Sequence, residues 1–218
     1  MKEYLSILGP DGAKELPCIA FRKYDGSNLR FAWARGKGWW QFGTRRRLFD
    51  AADPEFGCAI ELFRAKYAAG VEKVIRDDPH FRGAQEVVCY CEFLGPHSFA
   101  GVHDPARPVL ASAGVTHNDP KEVVLFDVNV HKKGLLPPRL FVDTFAALPL
   151  AEVVYEGDFT PAFVRSVREG NYPVGEGVIC KGLDGPAPHG IWMRKVKTLR
   201  YLDELKRRFA ADWQNYWE

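Results

Sequence analysis

Short runs rich in apolar, β-branched and aromatic residues recur along this chain, separated by turn residues and by a few stretches whose apolar positions repeat every three or four residues. These strand-like runs predict strands at 18–23, 28–34, 38–42, 86–94, 122–130, 152–155, 176–181 and 191–197. Asp25-Gly26, Gly36-Lys37-Gly38 and Asp184-Gly185-Pro186 supply turn chemistry between or after them. Helical spacing marks 55–78, 140–147, 160–169 and 198–216. In the first of these, Ile60, Phe63, Tyr67, Val71 and Val74 recur every three or four residues. The third opens with Thr160-Pro161, an N-cap followed by proline at the first helical position, and stops at Gly170-Asn171. Few of the strands are separated by crossover helices, so the pattern favours antiparallel sheets over a doubly wound parallel one. Residues 95–121, rich in His, Pro, Gly and Asp, read as a surface loop.

Composition narrows the picture modestly. A chain of 218 residues with 46% hydrophobic residues can bury one good core, and a single domain is the default. The net charge is only +2, which excludes the overall basic field of a general nucleic-acid binder, so any polyanion site must be local. Arg45-Arg46-Arg47 and the basic residues between Arg194 and Arg208 are the two clusters that could form one, with Arg207 and Arg208 read as a solvated helix face. Five cysteines, an odd number without a paired framework, point to a reducing compartment. Cys18, Cys58, Cys89, Cys91 and Cys180 read as small buried hydrophobes, and neither they nor the six histidines make a zinc spacing. The first residues lack the apolar core of a signal peptide and no run approaches a membrane span, so a cytoplasmic protein without membrane contact is expected.

Candidate chemistry centres on Lys23-Tyr24-Asp25-Gly26-Ser27-Asn28, a turn between two strand-like runs. A lysine attacks phosphorus only as the free amine, and so needs neighbouring cations or desolvation to lower its pKa. Gly26 lets a backbone approach a ligand without a Cβ in the way. A Lys-x-Asp-Gly turn alone is also a common hairpin signal. Lys195 and Lys197 flank Val196 on one strand, so their side chains share a face and can reach one set of phosphates. The bland reading of such a pair is a charged strand edge.

Further motifs follow in order. The Lys23 run resembles motif I of the covalent nucleotidyltransferases, the superfamily of polynucleotide ligases and mRNA capping enzymes. Val88-Cys89-Tyr90-Cys91-Glu92-Phe93-Leu94-Gly95 is similar to motif III, Val124-Leu125-Phe126-Asp127-Val128 to motif IIIa, Gly175-Glu176-Gly177-Val178-Ile179-Cys180-Lys181 to motif IV, and Trp192-Met193-Arg194-Lys195-Val196-Lys197 to motif V. Asn28 at the sixth position of motif I, where DNA ligases and capping enzymes usually place Arg, makes the resemblance closest to RNA ligases of the RNA ligase 2 type. Arg22 departs from the pattern, which often has an acidic or small residue there.

The resemblance implies an α+β fold: two mainly antiparallel β-sheets flanked by helices, a nucleotidyltransferase (ATP-grasp-like) ligase domain with the nucleotide between the sheets. It implies an ATP-dependent RNA ligase working through lysyl-AMP, AMP transfer to a 5′-phosphate, and sealing by a 3′-hydroxyl. Alternatives are a DNA-end ligase, a capping-type guanylyltransferase, and a non-catalytic nucleotide- or RNA-end-binding protein. Implied roles are Lys23 as nucleophile, with Lys195 and Lys197 neutralising charge in the transition state. Asp25, Gly26, Asn28, Arg45, Glu92, Phe126 and Lys181 would bind the nucleotide, Phe126 by stacking on the base and Glu92 through the ribose. Glu176, with Asp25, would hold Mg²⁺ or Mn²⁺. The implied partners are RNA ends, in a nicked duplex or broken strand. Residues 1–218 are expected to form one nucleotidyltransferase domain with a C-terminal helix at 198–217 and no separate OB or other C-terminal domain, so that a partner protein supplies extra nucleic-acid surface.

Overall fold

The computed structural model describes residues 1–95, 120–183 and 190–216. Most of the 95–121 loop, the Asp184-Gly185-Pro186 turn and Trp217 lie outside the described residues. The fold is α+β, built on two antiparallel sheets with helices, and the chain divides into two compact units.

The first unit comprises residues 1–4, 25–136 and 140–150. Its strands are β2 (Ser27–Ala34), β3 (Gly38–Thr44), β4 (Leu48–Phe49), β5 (Glu86–Leu94), β6 (Glu122–Val130) and β7 (Gly134–Leu135), in the spatial order β4-β3-β2-β5-β6-β7. Leu29, Phe31, Cys89, Cys91 and Phe93 alternate onto one face and are fully buried. There Phe31 stacks on Phe63 of helix α1 (Gly57–Phe63), with ring centroids 4.1 Å apart. Helix α1 runs into α2 (Ala69–Asp77) through a π-helical stretch, Arg64–Ala68. The extra residue in that turn rotates the apolar stripe by one position. The buried series is therefore Ile60, Phe63, Tyr67, Val71 and Ile75, and Val74, expected in the core, is only half-buried. The Tyr67 hydroxyl, in the same stretch, donates to Pro149 O (2.7 Å) and accepts from Leu125 N (3.2 Å).

The second unit comprises residues 5–24, 137–139 and 151–218. It holds β1 (Pro17–Lys23), β8 (Val153–Asp158), β9 (Gly177–Gly182) and β10 (Met193–Lys197) in the order β10-β9-β1-β8. Cys18, Ala20, Val178, Cys180 and Val196 pack on Phe163, Val164 and Val167 of helix α4 (Pro161–Arg168). Thr160 caps that helix by accepting from Phe163 N (3.1 Å), and Gly170 ends it in the left-handed region at φ +81°. Thr198 caps α5 (Leu199–Phe209) in the same way through Tyr201 N. The C-terminal helix is shorter than expected, because Ala210 turns to φ +45° and the chain continues as 3₁₀ turns through Tyr216. Helix α3 (Pro138–Thr144) starts two residues earlier than its periodicity suggested.

Four cysteines are buried as expected, whereas Cys58 is exposed. It sits on α1 beside Ala59 and Ile60, which take the inward positions of that turn. Among the described residues, no helix is long and apolar enough to cross a membrane.

Candidate active site

In the four-stranded sheet, Lys23 at the end of β1 and Lys197 at the end of β10 both lie opposite Gly177, the first residue of β9. Gly177 adopts φ +155°, and a Cβ there would fall within 3.0 Å of the Val196 carbonyl and the Lys197 Cα. Only glycine lets β9 and β10 close at this point. The residue before it, Glu176, is buried, and its Oε1 lies 2.7 Å from Lys23 Nζ and 3.1 Å from Lys197 Nζ. The Glu176 carbonyl accepts from Thr198 N (2.9 Å), tying the start of β9 to the N-cap of α5.

Strand alternation puts Lys23, Lys181, Lys195 and Lys197 on the face opposite the α4 core. Lys181 is 1% exposed, with its Nζ 4.6 Å from the Phe21 ring. Lys195 and Lys197 are not a solvated strand edge: only 7% and 8% of their surface is exposed. Two contacts account for this: Lys195 N donates to Leu8 O (2.9 Å), so β10 is no open edge, and Tyr201 of α5 places its ring 5.2 Å from Lys197 Nζ. Burial pulls the Lys197 pKa below its usual value; Glu176 opposes that shift, and Lys23 and Lys195 reinforce it. Four lysines thus share one face of this sheet, two of them on the Glu176 carboxylate, a concentration of cations suited to a phosphate-bearing ligand.

The other predicted residues lie on the six-stranded sheet. Gly26 N donates to Glu92 Oε1 (3.1 Å), and a Cβ on Gly26 would come within 3.0 Å of the Phe93 carbonyl. Asn28 faces Glu92 across β2 and β5, and its buried Oδ1 has no hydrogen-bond partner. Asp25, just outside β2, is half-buried. Phe126 is the extra residue of a β-bulge: Tyr90 pairs with Asp127 and Cys91 with Leu125, and Phe126 is skipped. Arg45 is exposed on a turn where Thr44 Oγ1 accepts from Arg46 N and Arg47 N, each at 3.1 Å. Arg47 pairs with Asp53 and Glu55, a structural clamp that leaves Arg45 and Arg46 as the displayed charges of the run.

Sequence reasoning passed over Tyr4 and Asp127. The Tyr4 hydroxyl donates to Asp127 Oδ2 (2.5 Å), and its ring meets Phe126 edge-on at 5.1 Å. A fully buried carboxylate within the apolar run of β6 was the available signal for Asp127; nothing local marked Tyr4.

For a divalent cation the informative atom is Glu176 Oε2, which is buried and, among the described residues, has no hydrogen-bond partner. Among the described residues no group of three His, Cys, Asp or Glu side chains forms a cage. One carboxylate oxygen suits a Mg²⁺ or Mn²⁺ that keeps most of its waters and takes its other ligands from phosphate.

No family model and no curated protein sequence matches this chain. Solved structures do. A candidate ATP-dependent DNA ligase from Aquifex aeolicus aligns with 99% of this chain and 57% of its own at 16% identity, with a TM-score of 0.58. An archaeal ATP-dependent RNA ligase aligns with 97% and 52% at 15% identity, TM-score 0.58. A variant of the Naegleria gruberi RNA ligase, solved with ATP and Mn, aligns with 94% and 58% at 14% identity, TM-score 0.59. The chain thus spans a little over half the length of these proteins. What it shares with them is the fold of the ligase nucleotidyltransferase domain.

Proposed function

We propose that this chain is an ATP-dependent RNA ligase that seals 5′-phosphate and 3′-hydroxyl ends through a lysyl-AMP intermediate. The observation that carries the reading is the placement of Lys23 at a strand end, 2.7 Å from a buried glutamate that also holds Lys197, on a face bearing two further buried lysines. The ligase fold of the structural neighbours supports it, as does the ordered motif series. Asn28 favours RNA over DNA ends, and the DNA ligase among the neighbours makes DNA ends the second substrate to test.

In this reading Lys23 Nζ attacks the α-phosphorus of ATP. An N–P bond forms, the bond to pyrophosphate breaks, and the amine gives up its proton. Lys195 and Lys197 offset the charge that develops on the phosphoryl oxygens, and burial makes each more effective than it would be in water. Burial, reinforced by Lys23 and Lys195 and opposed by Glu176, lowers the Lys197 pKa, so this cation is held at a cost that a bound phosphate would offset. Lys181 contacts phosphate or ribose, Glu92 the ribose hydroxyls, and Phe126 the base. Mg²⁺ or Mn²⁺ held by Glu176, with Asp25, supplies charge neutralisation at the phosphates. A 5′-phosphate oxygen then takes the AMP from Lys23, and a 3′-hydroxyl displaces AMP to form the phosphodiester.

The test is incubation with α-³²P-labelled ATP or GTP and a divalent metal, followed by peptide mapping. The expected result is one AMP on the peptide containing Lys23, with ATP preferred and no label in Lys23→Ala. Label that survives this change or maps to Lys181 overturns the assignment, and sealing of nicked RNA against nicked DNA separates the two substrates.

A further inference from the structure

We infer that Tyr4, through the carboxylate of Asp127, is a positioning residue that fixes the ring of Phe126 as the platform for the nucleobase. The inference rests on the ligase reading above and assigns a task to Tyr4, a residue outside the motif series. A bulged residue has lost its place in the hydrogen-bond ladder, so strand pairing does not set the direction of its side chain. Neighbouring side chains must do so. Two aromatic neighbours contribute to this: Tyr90 lies near-parallel to Phe126 at 6.4 Å and 27°, and Tyr4 meets it at 5.1 Å and 84°. The bulge also brings consecutive residues to one face, since Phe126 and Asp127 both meet Tyr4.

Tyr4 is itself held firmly. Its hydroxyl donates to Asp127 Oδ2 at 2.5 Å, and burial together with that carboxylate keeps the phenol protonated as a donor. The residues before it are strapped to the same sheet, with Arg30 Nη1 donating to Met1 O (3.3 Å) and the Tyr90 hydroxyl to Lys2 O (3.2 Å). Between Val123 and Val130 only Phe126 keeps appreciable exposed surface. A ring fixed along its edge and left partly open is organised before the base arrives, which lowers the ordering cost of stacking.

The experiment measures KM for ATP and kcat of lysine adenylation in folded protein, with the melting transition of each variant as the folding control. Phe126→Ala should raise KM about tenfold or more. Tyr4→Phe keeps the ring and removes the hydroxyl; it should raise KM about threefold to tenfold with kcat within about twofold. Asp127→Asn retains an oxygen to accept from the phenol and should stay near the wild-type KM. Tyr4→Phe combined with Phe126→Ala should be no worse than Phe126→Ala alone. If Tyr4→Phe leaves KM unchanged, or adds its full factor to that of Phe126→Ala, the positioning role is overturned while the ligase reading stands. A Phe126→Ala variant with wild-type KM removes the platform and with it the proposal. Absence of lysyl-AMP in the wild type brings down the ligase reading as well.

Discussion

The two sheets differ in the contacts that hold their charged side chains. On the four-stranded sheet, charges meet charges: one glutamate oxygen serves Lys23 and Lys197, with Lys181 and Lys195 on the same face. On the six-stranded sheet, neutral dipoles also hold charged groups: Glu92 accepts from a backbone N–H, Asp127 from a phenol, and Arg30 donates to the carbonyls of Met1 and Thr44. An imbalance of buried charge costs folding energy, and it persists where charge stabilisation of a reacting group repays it. Directional neutral contacts instead fix geometry, which is what recognition of a base and sugar requires. On the proposed ligase reading, phosphate chemistry falls to one sheet and nucleoside recognition to the other.

The largest test of that division is Lys23→Ala, for which lysine adenylation should fall below detection while ATP affinity changes far less. Next come Lys195→Ala and Lys197→Ala, each removing a buried cation. Loss of one preorganised contact of this kind costs about 3–4 kcal/mol, so adenylation should drop by roughly 10²–10³. Single-turnover labelling reads both. A lysine whose removal leaves adenylation near the wild-type rate is a structural charge, and the contrast between the sheets loses that member.

Much of this arrangement was legible in the sequence. The strands β1, β2, β5 and β6 fall within a residue of the expected ranges, because short apolar runs bounded by polar residues and the Asp25-Gly26 turn are local signals. Local pattern could not show the shift of the helix stripe to Ile75, which depends on the π-helical turn at Arg64–Ala68. Nor could it show that Lys195 and Lys197 are buried, because a Lys-x-Lys strand looks the same on an edge as beneath the Leu8 segment and Tyr201. The Glu176 pairing joins residues remote in sequence, and Tyr4 reaches Asp127 across 123 positions. Such contacts follow from topology rather than from any short run.

Each sheet also depends on one glycine where two backbones close. At Gly177, φ +155° and the nearness of Val196 O both exclude a side chain, whereas at Gly26 the backbone is unstrained and the obstacles are the Phe93 carbonyl and the movable Glu92 side chain. Gly177→Ala should therefore be the more damaging. We expect a loss of about 1–3 kcal/mol or more in chemical denaturation, together with weaker adenylation as β10 and Lys197 are pushed from Glu176. Gly26→Ala should cost less stability and act mainly through the Glu92 contact. Reversal of that order would mean that the β9–β10 closure is softer than its geometry implies.

The smallest effect, and the most specific to the charge imbalance, is a pH dependence of stability. Lys197 has a pKa lowered below its ordinary 10.5, first by burial and then by Lys23 and Lys195. Below the folded-state value both the folded and unfolded chains carry the proton, and the folded chain bears the full cost of burying it. Between that value and 10.5 the unfolded chain binds the proton more tightly, so this cost fades as pH rises through the window. Lys197→Met removes the titrating group and keeps much of its volume, while Glu176 retains Lys23. The variant should therefore be more stable than the wild type near neutral pH, with the gap closing as pH climbs towards 10.5. Denaturation midpoints across that range measure it. A gap that is absent or widens with pH would mean that Glu176 compensates Lys197 fully, and the four-stranded sheet would then carry no net penalty for its lysines.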